Sequence, residues 1–207
     1  MNMPPLHTAR LLIRPFTMDD LDDAYQILDV DLAEADTGAQ KKTMRDERRR
    51  WLQWTTLGYE ELARLYQPPY GDRAIALADT GRLIGACGLT PLLDLYDRLP
   101  GLRGAGDGAG SGHASTECGL FWAVAPSHQR RGYATEAARA LVDYAFTGLN
   151  LRRILATTTY DNEASMAVMR KVGMRIERNP YPDPPWLQVV GALDHPEADP
   201  DPTRPVE

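Results

Sequence analysis

The chain has little cysteine and no long apolar run. Only Cys87 and Cys118 occur in 207 residues, each inside an apolar segment, so we predict two buried thiols rather than a disulfide framework. No apolar stretch approaches the roughly 20 residues that cross a bilayer. Residues 1–14 also lack the apolar core of a secretory signal. We therefore expect no membrane association and a cytoplasmic location.

Basic charge is also scarce. Lysine and arginine number 23 against 29 aspartates and glutamates, for a net charge of −6, which argues against a nucleic-acid binder. An anionic cofactor stays compatible with this charge, because phosphates respond to local fields and backbone dipoles. The four histidines, His7, His113, His128 and His195, are scattered without the spacing of zinc ligands. We predict no metal.

The residues that are present indicate one globular domain of mixed α/β class. Hydrophobic residues make up 43% and charged residues 25%, the balance of a globular protein. The patterns predict strands at 8–16, 73–78, 82–89, 117–124, 151–159, 174–177 and 187–193, and helices at 17–28, 51–66, 135–146 and 162–172. Strands come first as a run and then alternate with helices, which predicts a central, partly antiparallel sheet.

Two segments depart from this globular pattern. Glycine is dense in 92–115, so we predict an irregular, flexible surface loop there, with a lid or a partner contact as the alternative. The end, 194–207, is acidic and rich in proline, and we expect a mobile tail. The domain would therefore occupy 1–193. The sequence leaves the oligomeric state open, with a homodimer through the last strands or through 92–115 as one form.

The segment Gln129-Arg130-Arg131-Gly132-Tyr133-Ala134-Thr135 joins an apolar strand to a helix. Such a junction forms an anion site, because unpaired N–H groups meet there with the positive end of the helix dipole. Gly132 has no Cβ and permits a positive φ or a close backbone approach, and Arg130 and Arg131 add positive charge. The P-loop tail and the dinucleotide G-x-G-x-x-G pattern are both absent, which leaves Q-x-x-G-x-A.

Two flanking motifs make this loop more specific. The strand ECGLFWAV precedes it at 117–124, and the helix sequence NEASMAVMRKVGM follows at 162–174. Together the three motifs resemble the GNAT superfamily of N-acetyltransferases, in particular its RimJ/RimL-like branch, which acetylates protein N-termini and assorted amines. The opening TARLLIRPF also resembles the first strand of that branch. The resemblance covers roughly 8–193 and is strong over 117–174, but it is poor over 29–72 and 92–115.

The resemblance implies a GNAT fold and an acetyl-CoA site. In that fold the central sheet is mostly antiparallel, its fourth and fifth strands run parallel and splay apart to bind acetyl-CoA, and helices cover both faces. The implied pyrophosphate site consists of backbone N–H groups of Arg131, Gly132, Ala134 and Thr135, with Gln129, Arg130 and Tyr133 in the same loop.

The resemblance also implies contacts to the rest of the cofactor. The backbone of Trp122 and Val124 would pair with the pantetheine arm, Asn162 would hydrogen-bond that arm, and Ser165 would lie near the thiol. From the residues alone, Asn162 is also a good helix N-cap, and Ser165 fits an ordinary solvated helix position. Both interpretations stay open.

Acyl transfer to an amine needs a base and a donor for the developing oxyanion. Glu117 is the candidate base, since partial burial would raise its pKa, and a structural ion pair with an arginine is the alternative. The backbone N–H of Val124 is the candidate oxyanion donor. Many family members carry a proton-donating tyrosine seven positions after the helix-start asparagine, but Met169 stands there and cannot donate. Ser165 or water would then protonate the thiolate, or the thiolate would leave unassisted.

The sequence thus predicts an acetyl-CoA-dependent N-acetyltransferase whose acceptor is a protein or peptide α-amine. A small-molecule amine as acceptor and a non-catalytic acetyl-CoA sensor are the alternatives. The acidic residues Asp29, Asp31, Glu34 and Asp36 would either attract a cationic amine or form a solvated face.

Overall fold

A computed structural model describes residues 2–35, 44–102, 112–181 and 183–197. Within these ranges eight strands and five α-helices follow one another. The strands are β1 (Leu6–His7), β2 (Leu11–Pro15), β3 (Gly71–Leu77), β4 (Leu83–Asp94), β5 (Ser115–Val124), β6 (Arg153–Thr158), β7 (Arg175–Arg178) and β8 (Val189–Asp194). The helices are α1 (Leu21–Tyr25), α2 (Leu32–Ala35), α3 (Arg45–Arg64), α4 (Tyr133–Asp143) and α5 (Glu163–Lys171).

The strands form one sheet in the order β1-β2-β3-β4-β5-β6-β8-β7. Every neighbouring pair is antiparallel except β5 and β6, which are parallel. That pair is in register only where Gly119 faces Leu155, and the two strands then diverge. The mixed sheet with its splayed parallel pair confirms the predicted GNAT fold. The pair comprises the fifth and sixth strands because the short β1 precedes the others.

Apolar side chains on both faces of the sheet hold the helices against it. On one face, Ile75, Cys87 and Leu120 pack in a cluster with Leu141 of α4 and Met166 of α5. On the other face, Ala74 and Ala86 pack with Ala24 of α1 and Leu52 of α3. The strand period of two explains this division, since alternate residues of each strand point to opposite faces. The loop between β5 and α4 is therefore anchored at both ends in one core.

The prediction of an irregular segment over 92–115 is wrong at both ends of that range. β4 continues to Asp94, and β5 already begins at Ser115. Between them, the helical turns Tyr96–Arg98 and Pro100–Leu102 bury Tyr96, Leu99 and Leu102 against Leu155, Leu187 and Val190. Residues 103–111 lie outside the described ranges. The high glycine content led to the prediction of an irregular loop. The few apolar residues that precede the glycines are nevertheless buried in the core.

Helix α3 begins earlier than predicted and includes the basic stretch. It starts at Arg45, after Met44, whose backbone N–H donates to Glu47 Oε2 at 3.0 Å. Arg48 lies 4.4 Å over the Trp51 ring. The helix predicted at 17–28 also continues, through a wide turn at Gln26–Asp31, to Ala35. Of the predicted tail, Asp194 belongs to β8, and 198–207 lies outside the described ranges.

Both cysteines are buried free thiols, as predicted. Cys87 faces Trp122 across β4 and β5, and Cys118 lies four positions before Trp122. The two Cα atoms are thus roughly 13 Å apart along the ladder, beyond the reach of a disulfide. Within the described residues no helix is both long and apolar enough to span a membrane. The same part of the chain brings no three metal-binding side chains together.

Candidate active site

The loop between β5 and α4 has the backbone conformation of an anion cradle. Gly132 has a φ of +84° and caps α4, so the predicted positive φ is confirmed. Arg130 also has a positive φ, at +61°. Gln129 closes the loop by donating its side-chain N–H to Val124 O at 3.0 Å. Alternation of left-handed residues with others turns successive N–H groups toward one concave side.

The first turn of α4 adds N–H donors to this cradle. The first backbone hydrogen bond that joins the helix to its cap runs from Glu136 N–H to Gly132 O at 3.0 Å. The N–H groups of Tyr133, Ala134 and Thr135 therefore precede the helical hydrogen-bond ladder and point out of the helix end. They carry the positive end of the dipole, which favours a phosphate. The small Ala134 leaves the approach to these donors open.

Arg10, which the sequence analysis did not single out, clamps this loop from the start of β2. Its Nε donates to Glu136 Oε2 at 2.7 Å, its backbone N–H to Glu136 Oε1 at 2.9 Å, and its Nη1 to Arg131 O at 3.0 Å. The guanidinium lies 4.5 Å over the Tyr133 ring. Thr8 Oγ1 also donates to Glu136 Oε1 at 2.6 Å. The sequence feature that could have identified Arg10 is its position as a charged residue just before an apolar strand.

The field around the loop is positive. His128, which ends the turn after β5, has its pKa lowered, first by burial and then by the charges of Arg82 and Arg131. On the helix side, burial would raise the pKa of Glu136, but hydrogen bonds from Thr8 and Arg10 outweigh it and lower that pKa. Glu136 is therefore a carboxylate held by Arg10 and Thr8. The guanidinium groups of Arg130 and Arg131 lie on the exposed side of the same loop.

The divergence of β5 from β6 opens a strand edge beside the loop. β4 pairs with β5 as far as Val124, whereas the register with β6 is confined to Gly119 and Leu155. Beyond that point β6 pairs with β8 on its other side. The segment from Leu120 to Val124, which includes Trp122, thus presents a backbone edge without a partner among the described strands. An extended chain that carries amides can add to such an edge as another strand.

Helix α5 begins at the far side of this opening. Asn162 is its N-cap, since Asn162 Oδ1 accepts the backbone N–H of Ser165 at 3.0 Å. The cap leaves the side-chain NH2 of Asn162 for a ligand. Ser165 lies half-buried in the first turn. Met169 is buried in the core, and its thioether has no proton to donate.

Glu117 lies near the start of β5, where its side chain is 22% exposed. Arg153 Nη1 approaches Glu117 Oε1 to 4.0 Å, while Arg153 Nε binds Asp194 Oδ1 at 2.5 Å. Burial raises the pKa of Glu117, Arg153 and Arg152 lower it, and the net direction is upward. The arginine contact that was the structural alternative therefore exists, but it is too loose to cancel the effect of burial.

The structure does not bring the two catalytic candidates of β5 together. Glu117 and Val124 are seven positions apart on one extended strand, which places their Cα atoms roughly 23 Å apart. One reacting carbon cannot contact both. Glu117 lies two positions from the divergence at Gly119, whereas Val124 lies beside the phosphate loop. If Glu117 is the base, Val124 cannot be the oxyanion donor of the same reaction.

The acidic residues of the first helical region are already engaged. Asp29 is 3% exposed, and Arg48 binds it through two hydrogen bonds of 2.6 and 2.8 Å. Asp31 Oδ1 accepts the side-chain N–H of Gln26 at 2.6 Å. The side chain of Glu34 and the whole of Asp36 lie outside the described part of the chain. Asp29 is therefore a partner of α3 and cannot attract an acceptor amine.

Known proteins are similar to this chain in sequence. The acetyltransferase (GNAT) domain model matches residues 10–175, most of the chain. The uncharacterized N-acetyltransferase YoaA of Bacillus subtilis is 29% identical over 175 residues, which cover 84% of each chain. The spermidine N(1)-acetyltransferase of Escherichia coli K12 is 25% identical over 180 residues, 84% of this chain and 77% of that one.

Solved structures show the same fold at lower identity. The ribosomal-protein-S5-alanine acetyltransferase of Vibrio fischeri superposes with a TM-score of 0.66 at 12% identity, covering 95% of this chain and 100% of that one. The match of the family model to residues 10–175, which include the loop and the open strand edge, assigns the chain. The protein belongs to the GNAT family of acetyltransferases and is an acyltransferase.

Proposed function

We propose that the protein transfers the acetyl group of acetyl-CoA to the α-amine at the N-terminus of a protein or peptide. The observation that carries the proposal is the order of three features along β5: the cradle at Gly132, the unpaired edge from Val124 back to Leu120, and Glu117, two positions beyond the point at Gly119 where that edge ends. It combines an anion site, a backbone edge for an amide-bearing arm and a carboxylate with a raised pKa, in that order.

The residues of the site fit three parts of acetyl-CoA, which are the pyrophosphate, the pantetheine arm and the thiol end. The N–H groups of the loop and of the first turn of α4 suit the pyrophosphate. The backbone of β5 from Leu120 to Val124, with Trp122 in its middle, suits the amides of pantetheine. On the opposite side of the opening, the side-chain NH2 of Asn162 suits a carbonyl of the same arm, and Ser165 would flank the thiol.

The chain's own groups would then prepare the acceptor. Bound acetyl-CoA supplies a thioester, whose C–S bond breaks as the amine nitrogen forms a bond to the carbonyl carbon. Glu117 takes the proton that the amine nitrogen loses, directly or through one water. Backbone N–H groups near Gly119 and Leu120 face the carbonyl oxygen. Ser165, in the first turn of α5, is the hydroxyl that we assign as proton donor to the sulfur, since Met169 cannot serve.

The energetics of deprotonation favour an α-amine. At pH 7 an α-amine of pKa about 8 loses its proton at a cost of about 1.4 kcal/mol, and a lysine of pKa about 10.4 at about 4.6 kcal/mol. Glutamate is ordinarily a weak base, with a pKa of about 4.3, and burial raises the pKa of Glu117 above its ordinary value. It therefore suits the less basic amine. In addition, Asp29 is paired with Arg48 and offers no free charge for a polycation.

A small amine is the second candidate acceptor. The relative that favours it is the spermidine N(1)-acetyltransferase, which aligns with 84% of this chain. The non-catalytic sensor, which Met169 at the usual tyrosine position had left open, is not retained, because the match to the acetyltransferase domain makes the chain an acyltransferase. The two candidate acceptors predict different products.

A product screen distinguishes them. The protein is incubated with acetyl-CoA and with peptides in two matched forms, one with a free N-terminus and one with a blocked N-terminus, each containing one lysine. Spermidine and other small amines form separate reactions. We expect mass spectrometry to show one added acetyl group on the free N-terminus, with stoichiometric thiol release.

Other outcomes contradict the proposal in identifiable ways. Acetylation of the blocked peptide identifies lysine as the acceptor, and acetylated spermidine identifies a polyamine. Calorimetric binding of acetyl-CoA without thiol release in any of these reactions contradicts both candidate acceptors. Glu117→Gln is the matched control, because it should bind acetyl-CoA as the wild type does and release thiol far more slowly.

A further inference from the structure

A buried arginine outside the acetyl-CoA site lacks a counter-ion. Arg73, near the start of β3, is 4% exposed, and its Nε has no hydrogen-bond partner. Its guanidinium lies 4.4 Å over the Tyr59 ring. No ion pair within the described ranges includes it, and the groups that influence its charge are Tyr59, Tyr144 and Cys87. Burial lowers the pKa of Arg73, since a desolvated cation is unfavourable.

Strand geometry explains why the adjacent acid does not pair with it. Asp72 and Arg73 are neighbours on β3, so their side chains point to opposite faces of the sheet. Asp72 faces the first half of α3, where the Trp51 side chain hydrogen-bonds its carboxylate and the charge of Arg48 acts on it. The guanidinium of Arg73 points away from that carboxylate and meets the second half of α3 at Tyr59. Removing a charge from water without a partner is costly, and buried charges in proteins are normally paired.

Arg73 lines a cavity of about 430 Å³. Most of the wall is apolar and comes from the N-terminal segment, the end of β2, α3 and the residues before β3, namely Met3, Pro4, Pro5, Pro15, Leu62, Ala63, Pro69 and Tyr70. Glu60 is the one acidic residue among the lining groups, and it is exposed to solvent. The volume lies within the range of small-molecule pockets, roughly 300–1,000 Å³.

We propose that this cavity binds a small organic monocarboxylate. Its carboxylate would accept hydrogen bonds from the Arg73 guanidinium, and its apolar body would contact Met3, Pro15 and Tyr70. A planar guanidinium matches a carboxylate in geometry, and one cation balances one negative charge. A phosphate dianion would need more donors than the single side-chain amide that Asn2 adds to the lining. The Tyr59 hydroxyl does not supply one, since it donates to Asp72 O and accepts the Phe16 N–H at 3.0 Å.

This site is separate from the acetyl-CoA site. Arg73 is in register with Cys87 of β4, and Cys87 is in register with Trp122 of β5. Two strand spacings therefore separate Arg73 from Trp122, roughly 10 Å. The phosphate loop lies beyond the end of β5, next to Val124. The inference does not rest on the proposed acceptor, and it can fail or succeed independently of it.

Benzoate and benzamide form a matched probe pair, because they share one ring and differ in charge. With the purified full chain at constant ionic strength, we expect millimolar benzoate to raise the melting temperature and to give a saturable calorimetric signal. Benzamide should do neither. Arg73→Met should lose the benzoate response while it retains the fold, because it replaces a buried, unpaired cation by an apolar chain. Arg49→Met, at an exposed position of α3, should respond as the wild type does.

Three results would overturn the proposal. An equal response to benzamide would show that the cavity recognises the ring alone. A retained response in Arg73→Met would place the carboxylate elsewhere. An equal or stronger response to inorganic phosphate would replace the monocarboxylate by a phosphate ligand. If Arg73→Met does not fold, Arg73→Lys is the variant that tests the proposal. It keeps the positive charge but loses the planar guanidinium that can bind both oxygens of a carboxylate. It should bind benzoate at least severalfold more weakly.

Discussion

Gly132 combines two constraints that make it the most sensitive residue of the phosphate loop. Its φ of +84° lies in the left-handed region of backbone conformation. A residue with a Cβ loses roughly 1 kcal/mol there, and a branched side chain loses more. A Cβ would also lie 3.3 Å from Arg10 Nη2. We therefore expect Gly132→Val to abolish the rise in melting temperature that acetyl-CoA causes in the wild type, measured by thermal shift.

Gly81 offers a control for backbone strain. It has a φ of +69° in the turn between β3 and β4, and a Cβ there would meet open space. Gly81→Val should lower the melting temperature by a similar backbone term and keep the full response to acetyl-CoA. A folded Gly132→Val protein with an unchanged response would remove the loop from the cofactor site.

Glu117 is the residue whose charge state should govern the rate. Because burial raises its pKa, the carboxylate needed as a base is lost as pH falls through that raised value, and kcat/KM should fall with it. Glu117→Gln should lower kcat/KM by about 10²-fold or more near neutrality while acetyl-CoA still binds. The deficit should shrink at higher pH, where the free amine becomes neutral unaided, and should be larger for a lysine acceptor.

The stability of the same variant separates base from scaffold. An acid whose folded pKa is raised stabilises the fold in its protonated form, and this contribution is lost as pH rises through the folded pKa. Near neutrality Glu117→Gln should therefore keep the wild-type melting temperature or exceed it. A lower melting temperature together with a rate loss that is the same at every pH would make Glu117 a structural partner of Arg153.

At the scale of elements, α4 is oriented by a contact from the start of β2. Glu136 receives hydrogen bonds from Arg10 and Thr8, and Arg10 also holds Arg131 O. We expect Glu136→Gln to raise the KM for acetyl-CoA by a few-fold to roughly tenfold with little change in kcat, because a partly exposed charged pair contributes modestly. Steady-state kinetics at saturating acceptor measures both constants.

Glu61→Gln provides the comparison for Glu136→Gln. Glu61 binds Arg64 on the exposed face of α3, where the side chains are 67% and 55% exposed. This variant should leave the KM for acetyl-CoA unchanged. A Glu136→Gln protein with wild-type KM would show that the first turn of α4 needs no support from β2, and that Arg10 serves the fold alone.

Across the whole molecule, the thiols report on global unfolding. Cys87 and Cys118 lie in the interior of the central strands, and burial raises the pKa of Cys118 to about 11. The thiolate is the reactive form of cysteine, so burial and a raised pKa both slow the reaction of these thiols with a reagent. We expect a colorimetric thiol reagent to label the native chain at least about 10³-fold more slowly than the unfolded chain, with two thiols released in denaturant. Fast labelling of one thiol in the native state would reveal local opening between β4 and β5.

The local features of the site could be predicted from the sequence. The left-handed glycine before α4, the asparagine cap of α5 and the order of strands and helices are properties of a few consecutive residues, governed by backbone sterics and by hydrogen bonds between near neighbours. The three motifs in their order therefore identified the family before any tertiary contact was known.

Tertiary structure alone decided which distant groups meet. The clamp on the phosphate loop joins residues 126 positions apart, and Asp29 is bound by Arg48 rather than open to an acceptor. Glu117 and Val124, both predicted to act on one carbonyl, are separated by the length of a strand. Arg73 has no ion-pair partner among the described residues, because the pleat turns Asp72 away from it, and its Nε is left without a hydrogen bond. Local pattern fixes the direction of each side chain relative to its own strand or helix, but its partners depend on how the sheet and helices pack.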